Sequence, residues 1–294
     1  MLSIAMTLFT AACSSEDVPE PGEYNISASY MPSPDDNSET AQIRRAFTEK
    51  YGSFLLFSDT LQHVFLGNDI NGDPRYFTEH IDIEYNIGQS GTSTDKDYSY
   101  KLITDVATQR SAVEFLEEYI MPHLSERLKP FSWLLASTIT HKTSSGSTVR
   151  PYAVVGQRCY ALKMADLKPS STVRVKQQLA NRQLNVVVAG LVNANSSDFS
   201  DFFAVSEAVY GQDTGFKVSE DVLKVLREHG FINIGSYSKT SFPKDYEDVN
   251  TFVTTILNND DAAIERLYGN WPLIMRKVEI MKAKLIEMGY KFEI

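Results

Sequence analysis

The feature that most constrains the fold is the segment Thr172–Asn193, which reads TVRVKQQLANRQLNVVVAGLVN. Its first half contains no glycine or proline and is rich in strong helix formers, and Ser170 or Ser171 can provide an N-cap. Its second half contains three consecutive valines, which are β-branched and favour a buried strand. Nothing between the halves stops a helix, and Gly190 weakens one without forbidding it. We predict a helix over Thr172–Val192 and keep a strand over the second half as the alternative.

The chain before this segment mixes helices with strands. The stretch ETAQIRRAFTEKYG, which ends at Gly52, predicts a helix, and SFLLF after it predicts a short buried strand. Ser111 and Glu114 form a capping box that is expected to open a second helix. Further strands are predicted for the alternating segment Ile81–Ile87, for FSWLLASTIT, and for a hairpin of PYAVV and RCYALKM across Gly156.

The chain after this segment is mainly helical. The helix EDVLKVLREHG is expected to be capped by Ser219 and to end at Gly230. DVNTFVTTIL places its apolar residues on one helix face, and a last helix runs from Pro272 to Gly289. No repeat or second linker is visible. The pattern predicts one α+β domain over residues 39–294, with a mixed sheet and helices in its N-terminal half and a mostly helical C-terminal half.

The N-terminus predicts export and lipid anchoring. MLSIAMTLFTAAC is too short to span a bilayer but suits a signal-peptide apolar region, and the small residues before Cys13 resemble a bacterial lipobox. The basic residues that usually precede such a region are missing, so the true start codon stays open. We predict a lipoprotein signal peptide over residues 1–12, acylation of Cys13, and a flexible polar tether over residues 13–38. The CSSED sequence resembles the acidic signal of surface-exposed lipoproteins, which implies the outer membrane and the cell surface.

Charge and cysteine content narrow the function further. The net charge of −10 argues against nucleic-acid binding, which needs a basic surface. If Cys13 is acylated, Cys159 is the only remaining thiol, so no intrachain disulfide can form. Cys159 lies in the apolar stretch VVGQRCYAL, which predicts a core thiol.

The chain lacks the common local motifs of catalysis. None of its five histidines begins an H-E-x-x-H pattern, and G-x-S-x-G and glycine-rich phosphate loops are absent. His229 lies in the last turn of a predicted helix, where a structural role is expected. Asp69, Asn71 and Asp73 have the spacing of a calcium loop, but the glycine falls one position early and His80 replaces the final glutamate. A plain Asn-Gly turn is therefore predicted there.

The chain also contains aromatic-rich segments and pairs of adjacent acidic residues. DFSDFF and YFTEHIDIEY are aromatic enough to line a sugar-binding surface, but core packing is the commoner use of such residues. The adjacent acids Glu247 and Asp248 are expected on a solvated helix face.

Several short motifs after residue 184 occur in a recognisable order. The motifs are Phe202, Val205, Ser206 and Tyr210 in FFAVSEAVYG, Gly230-Phe231-Ile232, Glu247-Asp248-Val249, and the final helix PLIMRKVEIMKAKLIEMGYKFEI. Together with the lipobox-like start and FTEKYGSFLLF, they resemble the zinc metallopeptidase lipoproteins of Bacteroidota, which are linked to glycan-uptake loci. The resemblance covers most of the chain and implies a zincin-like fold.

The resemblance also implies that the metal site is degenerate. Aligned with the family's H-E-x-x-H helix, this chain has Val186 and Gly190 in place of the histidine ligands and Val187 in place of the catalytic glutamate. A second register places SEAVY there and keeps Glu207, but serine and Tyr210 replace both histidines. Because zinc needs imidazole, carboxylate or thiolate donors, either register implies no zinc site.

The sequence therefore predicts a non-catalytic accessory or binding protein with no cofactor and no metal. Its expected partners are the membrane, through the lipid on Cys13, and a glycan, a peptide or an outer-membrane complex, but no nucleic acid. The remaining candidate cleft residues are Glu207, Tyr210, Glu247 and Asp248. Two alternatives stay open: an active hydrolase that uses non-standard residues, such as His229 with Glu247 or Asp248, and a purely structural partner of an outer-membrane complex.

Overall fold

The computed structural model describes residues 30–81, 98–168, 170–213, 222–234 and 241–292. Within these ranges the last strand ends at Lys163, and the described residues after it form helices, turns and loops. The predicted α+β class is confirmed, with a mixed sheet and helices in the first half and a mostly helical second half.

The described residues contain eight α-helices and eight strands. The helices are α1 (Glu39–Tyr51), α2 (Val106–Tyr119), α3 (Val173–Ala194), α4 (Ser200–Ala204), α5 (Val222–Glu228), α6 (Asp245–Asn258), α7 (Asp261–Tyr268) and α8 (Pro272–Met288). The strands are β1 (Phe54–Leu56), β2 (Thr60–Asn68), β3 (Pro74–His80), β4 (Tyr98–Leu102), β5 (Ser132–Lys142), β6 (Thr148–Val149), β7 (Ala153–Val155) and β8 (Cys159–Lys163).

The long strand β5 organises the main sheet. Its first half pairs in parallel with β1 and β8, and its second half pairs antiparallel with β4 and β6. Strand β7 pairs antiparallel with β8, which confirms the hairpin predicted across Gly156. Along β5, Trp133 and Leu135 join one core cluster with the helices, whereas Leu134 and Ala136 join a second cluster on the other face. Both faces are therefore covered, as expected of a sheet with parallel strands at its centre.

The strands β2 and β3 form a separate antiparallel hairpin. The carboxylate of Asp69 accepts hydrogen bonds from the backbone N–H groups of Asn71 (2.8 Å) and Asp73 (2.9 Å). Gly72 adopts a positive φ of 86°, which the turn requires. The predicted Asn-Gly turn is confirmed, and Asp69 serves to close it.

Helix α3 settles the conformation of the valine stretch. It runs without interruption through all three valines and Gly190, so the predicted helix is confirmed and the strand alternative is wrong. The N-cap is Thr172, whose hydroxyl accepts from the Val175 backbone N–H at 3.4 Å, and neither Ser170 nor Ser171 provides it. The helical residues before the valines and their burial in the core outweigh β propensity at this site.

Other helix boundaries follow local capping. Helix α1 ends at Gly52 with a φ of 66°, and α8 ends at Gly289 with a φ of 105°, both as predicted. Helix α2 begins earlier than predicted, because the carboxylate of Asp105 accepts from the Thr108 backbone N–H at 2.8 Å. The capping box expected at Ser111 is therefore wrong, and that residue lies inside the helix.

The packed part of the chain reaches further toward the N-terminus than predicted. Tyr30, assigned to the tether, is buried against Phe54 and Phe131. The guanidinium of Arg45 also donates to the carbonyl oxygens of Ser33 and Asp36, both at 2.8 Å. These contacts attach residues 30–38 to the folded domain. Residues 1–29, the strand expected after Ile81 and the cap expected at Ser219 lie outside the described ranges.

Candidate functional site

Helix α3 turns the valine stretch toward the core. Val187 and Val188 are completely buried, whereas Val186 is 36% exposed. Gly190 faces the edge strand β7, and a Cβ atom built on it would lie 3.2 Å from the side chain of Val155. Of the positions assigned to a degenerate metal site, Val187 and Gly190 therefore serve close packing between the helix and the sheet, whereas Val186 lies on the more exposed side.

A polar contact on the same helix fixes this packing. Gln183 precedes Val187 by one turn and is fully buried. Its Nε2 group donates to the backbone carbonyl of Lys163 on β8 at 2.8 Å. Because a buried amide without such a partner is costly, this bond favours one orientation of α3 on the sheet.

Two of the four predicted cleft residues meet in the second half of the chain. The hydroxyl of Tyr210 donates to Oδ2 of Asp248 at 2.6 Å. Glu247 instead accepts from the Lys244 backbone N–H at 2.9 Å, which caps the start of α6. Glu207 lies exposed in a 3₁₀ turn. Only Tyr210 and Asp248 therefore belong to one cluster.

The central residue of this cluster is Lys277 of α8, which the sequence analysis did not single out. Lys277 and Asp248 form an ion pair whose side chains are 0% and 1% exposed. The Lys277 ammonium also donates to the hydroxyls of Ser206 and Tyr210, both at 3.2 Å. The expectation that Asp248 lies on a solvated face is wrong, because α6 packs this face against α8.

Four aromatic rings complete the surroundings of Lys277. The Nζ atom lies close to the ring centroids of Phe202 (4.4 Å), Phe231 (4.9 Å), Phe252 (4.9 Å) and Tyr210 (5.4 Å). Ring faces carry partial negative charge and stabilise a desolvated cation. The ammonium is therefore compensated by one carboxylate, two hydroxyls and four rings.

Burial controls proton binding in this cluster. It raises the pKa of Asp248 and lowers the pKa of Lys277, and the attraction between the two groups opposes both shifts. Burial and the neighbouring Asp248 carboxylate also raise the pKa of Tyr210. Its phenol therefore stays protonated and donates a hydrogen bond to Asp248. Lys277 has no exposed surface through which to reach a substrate, so the cluster stabilises the fold.

Two surface cavities lie above the cluster. One, of about 410 Å³, is lined by Phe203, Tyr210, Gly211, Lys244 and Asp245. The other, of about 530 Å³, shares Phe203 and Asp245 with it and includes Glu207. Tyr210 thus separates a shallow open cleft from the buried ion pair.

The residues proposed for an unusual hydrolase do not form a pair. Nδ1 of His229 lies 2.9 Å from the carbonyl oxygen of Val225, and its ring packs on Phe242 with centroids 5.0 Å apart. The Asp248 carboxylate forms its ion pair with Lys277 and not with His229. His229 therefore contributes to the end of α5, in line with the structural role predicted for it.

The aromatic segments divide between core and surface. In DFSDFF, Phe199 and Phe202 are completely buried, as predicted. In YFTEHIDIEY, Tyr76 and Phe77 are about half exposed, so core packing is wrong for these two. They lie on the β2–β3 hairpin, whose strands pair only with each other. Cys159 is fully buried in the sheet, which confirms the predicted core thiol.

Across the part of the chain that the structure describes, no group of three or more histidine, cysteine, aspartate or glutamate side chains could hold a metal ion. Within the same ranges, no helix combines the length and apolar character needed to cross a membrane. No known protein family, curated protein or solved structure matches this chain.

Proposed function

We propose that this chain is a lipid-anchored surface protein with a zincin-like fold that binds its ligand without transforming it, as an accessory to glycan uptake. The observation that carries this proposal is the packing of α3. Val187, at the position of the family's catalytic glutamate, is completely buried, and Gly190, at a histidine position, is held against Val155. A histidine side chain at Gly190 would press against the side chain of Val155 on β7.

The motifs behind the family resemblance support the proposal from a second direction. They are separated by many residues in sequence, yet Phe202, Ser206, Tyr210, Phe231 and Asp248 all contact Lys277. Shared motifs that meet in one buried cluster are expected of a common scaffold. The scaffold is thus a separate property from the chemistry that a relative performs on it.

The direct test is the metal content of the purified full chain. After dialysis against a metal-free buffer, we expect elemental mass spectrometry to detect well under one zinc ion per chain. Stoichiometric zinc that survives dialysis would contradict the proposal, because it would require ligands that the packing of α3 does not provide.

The anchoring part of the proposal has its own test. Cys13→Ser removes the acylated thiol, so the variant is expected to lose radiolabelled fatty acid and to leave the membrane fraction. Cys159→Ser is the matched control and is expected to retain both. Equal membrane association of the wild type and Cys13→Ser would refute lipid anchoring at this residue.

A further inference from the structure

A cavity of about 670 Å³ lies between α3, the junction of α6 with α7, and the end of α8. It shares no lining residue with the two cavities beside Tyr210. We name it the α3–α7 cavity. Its volume is in the range of small-molecule sites, which are typically about 300–1,000 Å³.

Three asparagines supply its hydrogen-bonding groups. Asn258 and Asn259 donate their Nδ2 groups to the carbonyl oxygens of Thr254 and Thr255, both at 2.8 Å. These bonds hold the side chains in place and leave the amide oxygens as acceptors. The side chain of Asn181 makes no hydrogen bond within the described residues, so both ends of its amide are available to a ligand.

His123 adds a further acceptor. Its Nδ1 atom lies 2.8 Å from the carbonyl oxygen of Lys291, and since a carbonyl can only accept, Nδ1 carries the proton. Burial lowers the pKa of His123, so the ring is neutral near pH 7 and Nε2 has a free lone pair. The ring stacks on Tyr290 with centroids 5.6 Å apart, which fixes its plane.

The charged side chains of the lining are two aspartates and one lysine, which leave one net negative charge. Asp261 forms an ion pair with Lys282, and Asp260 accepts from the Ala263 backbone N–H at 2.7 Å as the N-cap of α7. The Lys282 ammonium also lies 5.5 Å from the ring centroid of the half-buried Phe292. Lys282 is the one cation of the described lining, and it is already paired. A phosphate, sulfate or carboxylate ligand would therefore meet no free positive charge.

Fixed amide acceptors, a free amide and a half-buried aromatic ring match hydroxyl groups and the apolar face of a sugar ring. We propose that the α3–α7 cavity binds a neutral polyhydroxylated ligand, namely the sugar units of an uncharged oligosaccharide. This inference rests on the proposed function, since it gives the location and the ligand class of the binding site.

The test is calorimetric titration of the full chain with maltohexaose, cellohexaose, xylohexaose, mannohexaose and chitohexaose. We expect at least one to bind, and Asn181→Leu to weaken that binding by about tenfold, because it removes the free amide. The matched control is Gln178→Leu, since Gln178 is an exposed amide on the same helix outside the cavity, and it is expected to bind like the wild type. Asn258→Ala at the exposed junction gives an independent second variant, expected to weaken binding in the same direction.

Each outcome has a definite meaning. Anionic oligosaccharides of heparin and polygalacturonic acid are titrated alongside the five neutral ones. The inference is overturned if none of the five neutral oligosaccharides binds, or if only the anionic ones bind. Sugar binding that Asn181→Leu and Asn258→Ala leave unchanged overturns the assigned location. The zinc content is measured independently of sugar binding. Stoichiometric zinc, or hydrolysis of the bound sugar, would refute the proposed function instead.

Discussion

Two buried regions of the molecule differ in what they place in the core. Around Val187, helix α3 fills the space against the sheet with apolar side chains, a glycine and one neutral amide, that of Gln183. Around Lys277, helices α6 and α8 bury a full ion pair among hydroxyls and aromatic rings. The first region tolerates only close packing, whereas the second depends on every polar partner being present. Loss of one partner is therefore expected to cost more than loss of one methyl group.

The largest effect is expected at the ion pair. Lys277→Met or Asp248→Leu alone leaves one charge buried without its partner, and each is expected to lower the free energy of unfolding by about 3–5 kcal/mol. The double variant removes both charges and is expected to recover most of this loss. Chemical denaturation of all four proteins measures the coupling. Additive losses in the double variant would show that the two charges do not compensate each other.

The next effect concerns the valine stretch. Val187→Ala removes two buried methyl groups and leaves a cavity, so we expect a loss of about 2 kcal/mol in the free energy of unfolding. Val186→Ala, the same change one residue earlier on the more exposed side of α3, is expected to change it by less than about 0.5 kcal/mol. Similar losses at both positions in denaturant titrations would mean that the helix does not orient its valines as described.

A smaller effect tests the contact between α3 and β7. Alanine is a better helix former than glycine by about 1 kcal/mol, but at Gly190 its Cβ atom would crowd Val155. We expect Gly190→Ala to be more favourable by up to about 1 kcal/mol in a Val155→Ala background than in the wild type. A thermodynamic cycle from four unfolding curves gives this difference. An equal effect in both backgrounds would show that the γ methyl groups of Val155 do not restrict position 190.

The smallest effect is a pH dependence at His123. Its pKa is lowered in the folded state by burial, so the unfolded chain binds a proton more readily. The stability contribution is complete above the unfolded pKa of about 6.5 and is lost as the pH falls through the folded pKa. His123→Asn is expected to flatten the stability profile between pH 7.5 and pH 5. A slope that His123→Asn does not alter would assign the dependence to other groups.

Local signals were sufficient for most of the fold. Glycines with positive φ ended α1 and α8 where the sequence placed them, and the apolar residues Val249, Phe252 and Val253 of α6 are all buried. The cap of α2 differs from the prediction because Asp105 offers a carboxylate six residues before Ser111. Local sequence shows competing caps, but it does not show which one the tertiary packing selects.

The candidate site was only partly predictable. The family resemblance points to Tyr210 and Asp248, but not to their partner Lys277. A signal for Lys277 was present, because it lies three residues after Ile274 and four before Met281, on the buried seam of α8. A lysine on such a seam needs a counter-charge. The sequence cannot identify that partner, since Asp248 is far away along the chain and only the packing of α6 on α8 brings the two together.

Hydrogen exchange over residues 186–190 tests most directly whether this part of α3 belongs to the core of the domain. We expect these amides to belong to the slowest class, to exchange only when the whole domain unfolds, and to match the amides of Leu134 and Val253. Exchange through local opening, at a free energy well below that of global unfolding, would show instead that α3 borders an open cleft.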